Sequence, residues 1–183
     1  MSPESSESSR TGNRRPNNVR TPRSGLERRT IENASLDDVD QILLEELSID
    51  ARVPNNALAA KAGIAPSTCL ARIRALRERG VIRGFHADID PALAGRPLQA
   101  MVAVRIQPTA RNRLNSFLGH LSELPGVLNV FLLGGAYDFF VHVAAPDSVA
   151  LNTFVVEHLS SIPDVALTET NLIFQHARSP RFG

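Results

Sequence analysis

Apolar side chains first recur at helical spacing at Leu36, Val39, Leu43 and Leu47, with Ile42 widening the stripe. This predicts a helix opened by Ser35 as its cap, with Asp38 three residues on in capping-box fashion. It should end before Ala51, Arg52, Val53 and Pro54. Residues 55–62 predict a second, short helix with Leu58, Ala59 and Ala62 inward. Gly63 supplies a sharp turn, since a residue without Cβ takes a left-handed conformation at little cost. A third helix opens at Pro66, where a missing N–H does no harm, runs to Arg79 and stops at Gly80. Cys69, Ile73 and Leu76 form its inward stripe. Residues 81–90 alternate enough to predict a strand or short hairpin wing. Residues 91–97, with Gly95 and two prolines, read as a linker.

Beyond the linker the pattern doubles. A strand at 98–106 precedes an amphipathic helix at 112–124 (Leu114, Phe117, Leu118 and Leu121 inward) and a strand at 127–133. A strand at 138–144 then precedes a helix at 148–161, capped by Asp147, with Leu151, Phe154, Val155 and Leu159 inward, and a strand at 165–174. Leu124-Pro125-Gly126-Val127 and Ile162-Pro163-Asp164-Val165 occupy equivalent places. Two tandem β-α-β units predict a ferredoxin-like βαββαβ sandwich, four antiparallel strands with both helices on one face. The fold class is therefore α+β, a winged helix-turn-helix followed by that sandwich. Met101, Ala103 and other alternate-face apolar positions imply that a second subunit covers the open sheet face.

Charge changes the picture only when counted locally. The chain as a whole carries a net charge of +1. Between Lys61 and Arg83, however, six basic residues stand against Glu78 alone, a local net of +5. From Asp37 to Asp50 there are six acidic residues and no basic one. Such polarity suits a small domain that turns one face to phosphates and the other away. On the third helix, Ser67, Thr68, Ala71 and Ala75 lie opposite the inward stripe, flanked by Arg72 and Arg74. A helix with a small, hydroxylic N-terminal face and arginine flanks can enter the major groove and touch base edges. The expected partner is double-stranded DNA. A solvated helix face is the plainer reading of an arginine run by itself. The turn glycine, the Pro-Ser-Thr opening and the wing together favour DNA.

Composition bounds the remaining classes. At 183 residues the chain holds one medium domain or two small ones. No apolar run is long enough to span a bilayer, and the N-terminus lacks the apolar core of a secretory signal, so a cytoplasmic, nucleoid-associated protein is expected. The single cysteine, Cys69, fits a reducing compartment and the buried stripe. Residues 1–34 read as a disordered tail with seven arginines against four glutamates. That tail could add sequence-independent phosphate contacts, or be a solvated extension without a role. The expected domains are thus 1–34 tail, 35–90 DNA-binding, 91–97 linker, 98–176 a ferredoxin-like oligomerisation domain, and 177–183 a C-terminal tail. The five histidines show no metal-ligand spacing, and His158 reads as a core histidine. Neither a nucleophile elbow nor a P-loop nor a dinucleotide fingerprint is present. No catalytic residue, metal or cofactor is expected.

The motifs together resemble the leucine-responsive/asparagine regulator (Lrp/AsnC) family of transcription factors. They are Leu36-Asp37-x-x-Asp40-x-x-Leu43, Gly63-Ile64-Ala65-Pro66-Ser67-Thr68-Cys69, Arg72-Ile73-Arg74-Ala75-Leu76 and Gly80-Val81-Ile82-Arg83-Gly84-Phe85. Gly134-Gly135-Ala136-Tyr137-Asp138, Pro163-x-Val165 and Thr168-x-Thr170 extend the match through the second half. The resemblance implies a dimerising, small-molecule-sensing C-terminal domain, with dimers assembling further, commonly into octamers. Amino acids or related metabolites would bind between dimers. By position, Ser67, Thr68 and Arg74 are the implied DNA-facing residues, with Ala71 beside them and Arg72 and Arg77 as further candidates. For Arg72, an ion pair with a first-helix acid such as Asp40 stands as an equal alternative. Pro54 replaces the capping hydroxyl common in the family, which passes the cap of the second helix to Asn55.

The loop Gly134-Gly135-Ala136-Tyr137-Asp138 is the implied effector site. Successive glycines let backbone N–H groups approach a ligand carboxylate. Asp138 could accept from a ligand ammonium, and Tyr137 offers a wall and a hydroxyl. Thr168 and Thr170 would complete the site from a neighbouring subunit. A glycine-bearing β-turn with a structurally bonded aspartate is the plainer meaning of the same residues. The functional expectation is a sequence-specific transcriptional regulator responding to a small amino-acid-like effector. An architectural DNA-wrapping protein is the alternative, and a ferredoxin-like enzyme a more distant one.

Overall fold

The computed structural model describes residues 36–177, so residues 1–35, including Ser35 and the arginine-rich tail, lie outside it, as do residues 178–183. Three helices come first: α1 (Asp38–Ile49), α2 (Asn55–Lys61) and α3 (Pro66–Glu78). The N-cap of α1 is Asp37, whose carboxylate accepts from the Asp40 N–H at 2.8 Å, while Asp38 contributes charge to the first turn. Leu43, Leu58, Ala59, Ala62 and Cys69 are buried together, with Val39, Ile42, Leu47, Val53, Ile64 and Ile73 packed around them. Burial raises the Cys69 thiol pKa, which removes it from thiolate chemistry.

Glycine closes both α2 and α3. At φ +65° and +73°, Gly63 and Gly80 let the chain leave each helix in a left-handed step. Ile64 N–H then donates to Ala59 O at 3.0 Å, and Val81 N–H to Leu76 O at 2.9 Å, six-residue closures that satisfy otherwise orphaned carbonyls. Two local expectations need correction. Asn55 does not cap α2: Pro54 holds the cap position without a side-chain bond, and Asn55 Nδ2 donates to Pro66 O at 2.9 Å. The residue ties the start of α2 to the start of α3 instead. Nor do residues 81–90 form a strand or hairpin; they run without a sheet partner. The N–H groups of Val81 and Ile82 both go to Leu76 O, and the Phe85 ring lies under the Arg77 guanidinium at 5.9 Å. Alternation provides faces, but a ladder needs a second strand, and this stretch has none among the described residues.

The second half forms a four-stranded antiparallel sheet in the order β2-β3-β1-β4. Its strands are β1 (Leu98–Ile106), β2 (Val127–Leu132), β3 (Phe139–Ala145) and β4 (Val165–Ile173). Between β1 and β2 come a 3-10 turn (Pro108–Arg113) and α4 (Leu114–Ser122). Helix α5 (Ser148–Val155), capped by Asp147, leads through a π-helical turn (Val156–Ser160) to β4. This is the ferredoxin-like sandwich. Period-two alternation puts Ala100, Val102, Val104, Ile106, Phe139, Val141, Val143 and Ala145 under the helices, against Phe117, Leu121, Leu151, Phe154 and Leu159. The helix expected at 112–124 is shorter than predicted, because Pro108 starts a 3-10 turn first. His158 is half-buried, its ring 5.4 Å from that of Phe154.

Register assigns the opposite sheet face to Met101, Ala103, Phe131, Phe140, Leu167 and Glu169. Phe131 and Leu167 are 47% and 46% exposed. No element of this protomer covers that apolar face among the described residues.

Candidate functional site

Helix α3 presents a distinct outer face. Ser67, Ala71 and Arg74 follow one another at helical spacing, Thr68 and Ala75 adjoin them, and all are exposed. Among the described residues, Ser67, Thr68 and Arg74 have no side-chain hydrogen-bond or ion-pair partner, so their donors are available to an external molecule. Leu70 is 53% exposed and lies between Ser67 and Arg74 along the same face. The apolar–polar pattern did not single it out, because a leucine in a helix reads as core. Arg77 is exposed and half engaged by Phe85. Arg72 departs from the DNA-facing set. Its Nη1 donates to Asp37 Oδ2 at 2.7 Å and to Asp40 Oδ1 at 2.9 Å, so it faces α1. Of its two expected roles, the structure builds the ion pair. Asp37, then Asp40, raise the Arg72 pKa, and the Asp40 N–H, then Arg72, lower that of Asp37. Lys61 forms an ion pair with Glu46 and is likewise directed at α1.

The second site is the connection between β2 and β3. Leu133 N–H donates to Asp138 O at 2.8 Å and Asp138 N–H to Val104 O at 2.9 Å, pinning its base. The Asp138 side chain is buried, and Oδ2 accepts from the Ile106 N–H at 2.8 Å while Oδ1 lies 3.5 Å from Arg111 Nη2. Both oxygens thus have partners within the chain, the Ile106 N–H and the Arg111 guanidinium. The plainer alternative, a structural carboxylate, is what the geometry builds, although its partner is β1 and not the turn's own backbone. Arg105 Nε donates to Ala136 O at 2.9 Å, and its guanidinium lies 5.5 Å from the centre of the Tyr137 ring. Tyr137 donates to Glu169, which raises the Tyr137 pKa and, together with Asn171, lowers that of Glu169. Arg105, Arg111 and Glu169 were not among the predicted site residues. Their sequence separation from the loop is large, and only sheet register brings them to it.

Gly134 and Gly135 are exposed, neither has positive φ, and a Cβ built on either meets nothing within 4 Å. Nothing among the described residues requires glycine at these positions. Thr168 and Thr170 oppose Val104 and Val102, so they belong to the helix-covered side, and Thr168 Oγ1 lies 3.0 Å from Ser160 Oγ. Tyr137 bonds to Glu169 on the other side, so one protomer does not unite the two threonines with the Tyr137 face of the loop.

Comparison with known proteins fits both halves. Residues 36–77 match the AsnC-type helix-turn-helix domain, and residues 99–181 match the Lrp/AsnC ligand binding domain. The chain is 53% identical over 143 residues to the HTH-type transcriptional regulator AldR of Mycolicibacterium smegmatis, covering 78% of this chain and 84% of that protein. The chain belongs to the Lrp/AsnC family of transcriptional regulators. Among solved structures, the Lrp/AsnC chain superposes on the crystal structure of MtbAldR with a TM-score of 0.71 and 47% identity, covering 79% of this chain and 96% of that one. It also matches a transcriptional regulator of Neisseria meningitidis in complex with L-methionine, at 27% identity and a TM-score of 0.71, covering 79% and 94%. No helix of this Lrp/AsnC protein is long and apolar enough to cross a membrane, among the described residues.

Proposed function

We propose that this chain reads double-stranded DNA through the outer face of α3 and alters that binding in response to a small amino acid held at residues 134–137. The observation that carries the DNA half is the division of labour on α3. Arg72 is committed to Asp37 and Asp40, whereas Ser67, Thr68 and Arg74 are exposed without partners among the described residues. Arg74→Ala should weaken binding to the chain's operator by about 1–3 kcal/mol if the arginine reads a base edge. If it contacts phosphate only, the loss should be similar on every sequence, and the salt slope should fall by about one unit. Wild-type affinity with an unchanged slope would show that a different face of α3 meets the DNA.

For the effector, the support is the open pair of glycines on a loop whose base is otherwise fully bonded. Exposed backbone N–H groups there can donate to a carboxylate at close range. Asp138 serves this site as a strut beneath the loop, and Tyr137 stands beside it. L-Methionine, the ligand of the Neisseria relative, is the first probe, followed by the other L-amino acids. A true effector should raise the melting temperature with concentration, contributing about 2.7 kcal/mol at a hundred times its Kd. Gly135→Val should melt like the wild type without ligand, because the added side chain meets open space, and should lose the ligand-induced rise. A Gly135→Val protein that still responds fully would place the effector elsewhere. The uncovered apolar sheet face supports a dimer through the C-terminal domain, with larger assemblies such as an octamer built from dimers. Light scattering on the same samples reads that state, and a stable monomer at micromolar concentration would exclude it.

A further inference from the structure

Asp40 is a charged side chain buried within the helix-turn-helix, 6% exposed on the inward side of α1. Its Oδ1 accepts from Arg72 at 2.9 Å, and its Oδ2 stands 3.8 Å from Arg79 Nη1. Those arginines are seven residues apart on α3 and its cap, close to two helical turns, so both ion pairs fall along one line parallel to the helix axis. Asp37 reinforces the first, holding Arg72 at 2.7 Å with one oxygen while the other caps α1 through the Asp40 N–H. Two grips on one line resist rotation of α3 about its axis. A rotation of 100°, the step of one residue, would replace Arg74 by a neighbour at the outer face. Burial also matters for charge. Two guanidinium groups drawn toward an acidic helix are two cations withheld from phosphate, in a stretch whose local net charge is +5.

We propose that Asp40 is a positioning residue for DNA reading, fixing the rotation of α3 and keeping Arg72 and Arg79 off the phosphate backbone. Discrimination between sequences is then left to the Ser67, Thr68 and Arg74 face. The inference rests on the reading of α3 as the recognition helix. It adds a source of specificity that touches no base.

The test uses the full chain, a duplex enriched by the wild type from a randomised pool, and a scrambled duplex of equal length, each titrated across salt concentration. Asp40→Asn preserves shape and removes the charge. It should bind the scrambled duplex more tightly, with a salt slope steeper by about one unit as the weakened hold lets one arginine reach phosphate, Asp37 still holding Arg72. The ratio of enriched to scrambled affinity should fall about tenfold. A merely structural role would lower the melting temperature without steepening that slope, so an unchanged slope in folded Asp40→Asn overturns the proposal. If Asp40→Asn does not fold, Arg79→Gln decides. Loss of the second grip should reduce the affinity ratio and leave the scrambled-duplex slope as it was. A slope shallower by about one unit would show Arg79 on phosphate and overturn the proposal. Failure of the underlying reading looks different: the wild type enriches no sequence, or Arg74→Ala matches it on both duplexes.

Discussion

Phe139→Ala is expected to destabilise the C-terminal domain by about 3–5 kcal/mol, the largest single-residue effect among the substitutions considered. The ring is fully buried at the start of β3, in a cluster with Val104, Phe117, Leu121 and Phe154. Removing it leaves a cavity bounded by the sheet on one side and helices on the other, which cannot both collapse into it. For a domain of this size the melting temperature should drop by more than about 10 °C. Assembly should fail as well, because the strand that carries Phe139 inward carries Phe140 and His142 on the uncovered face. Urea unfolding at fixed protein concentration, followed by light scattering, measures both. A loss below about 1 kcal/mol would mean that the core is not packed as described.

Asp138→Ala should have the next largest effect, about 1–3 kcal/mol, with or without ligand. The substitution leaves the buried Ile106 N–H without its acceptor and removes the charge facing Arg111. The base of the loop then loses its tie to the end of β1, and the residues above it, Gly134 to Tyr137, lose their fixed position. Stability and ligand response are therefore expected to fall together. Asp138→Asn keeps an acceptor for Ile106 N–H and should lose less. Melting curves with and without L-methionine distinguish the roles of this carboxylate. Normal melting combined with a lost response would return Asp138 to direct ligand contact.

The sequence on its own determined the elements of this protein and their order. Helical spacing found the buried side of α1, α2 and α3, because each is amphipathic and local hydrogen bonding closes it. Alternation and the repeated Pro-x-Val turns found the four strands to within a residue or so at either end. The outer residues of α3 were legible for the same reason, since whatever is not on the inward stripe of a surface helix must face outward. Contacts across long separations were not legible. Arg72 had two possible partners in the sequence, phosphate or α1, and only the packing of α3 on α1 places its guanidinium 2.9 Å from Asp40. Asp138 read plainly as a strut and, by resemblance, as a ligand acceptor; only the packing of β1 beside it places the Ile106 N–H 2.8 Å from its carboxylate. The stretch at 81–90 has the alternation of a strand and lacks a partner to pair with, which no local pattern can supply. Local physics fixes where a side chain points along its own element; tertiary structure decides what it meets there, because the meeting partner lies tens of residues away in the chain.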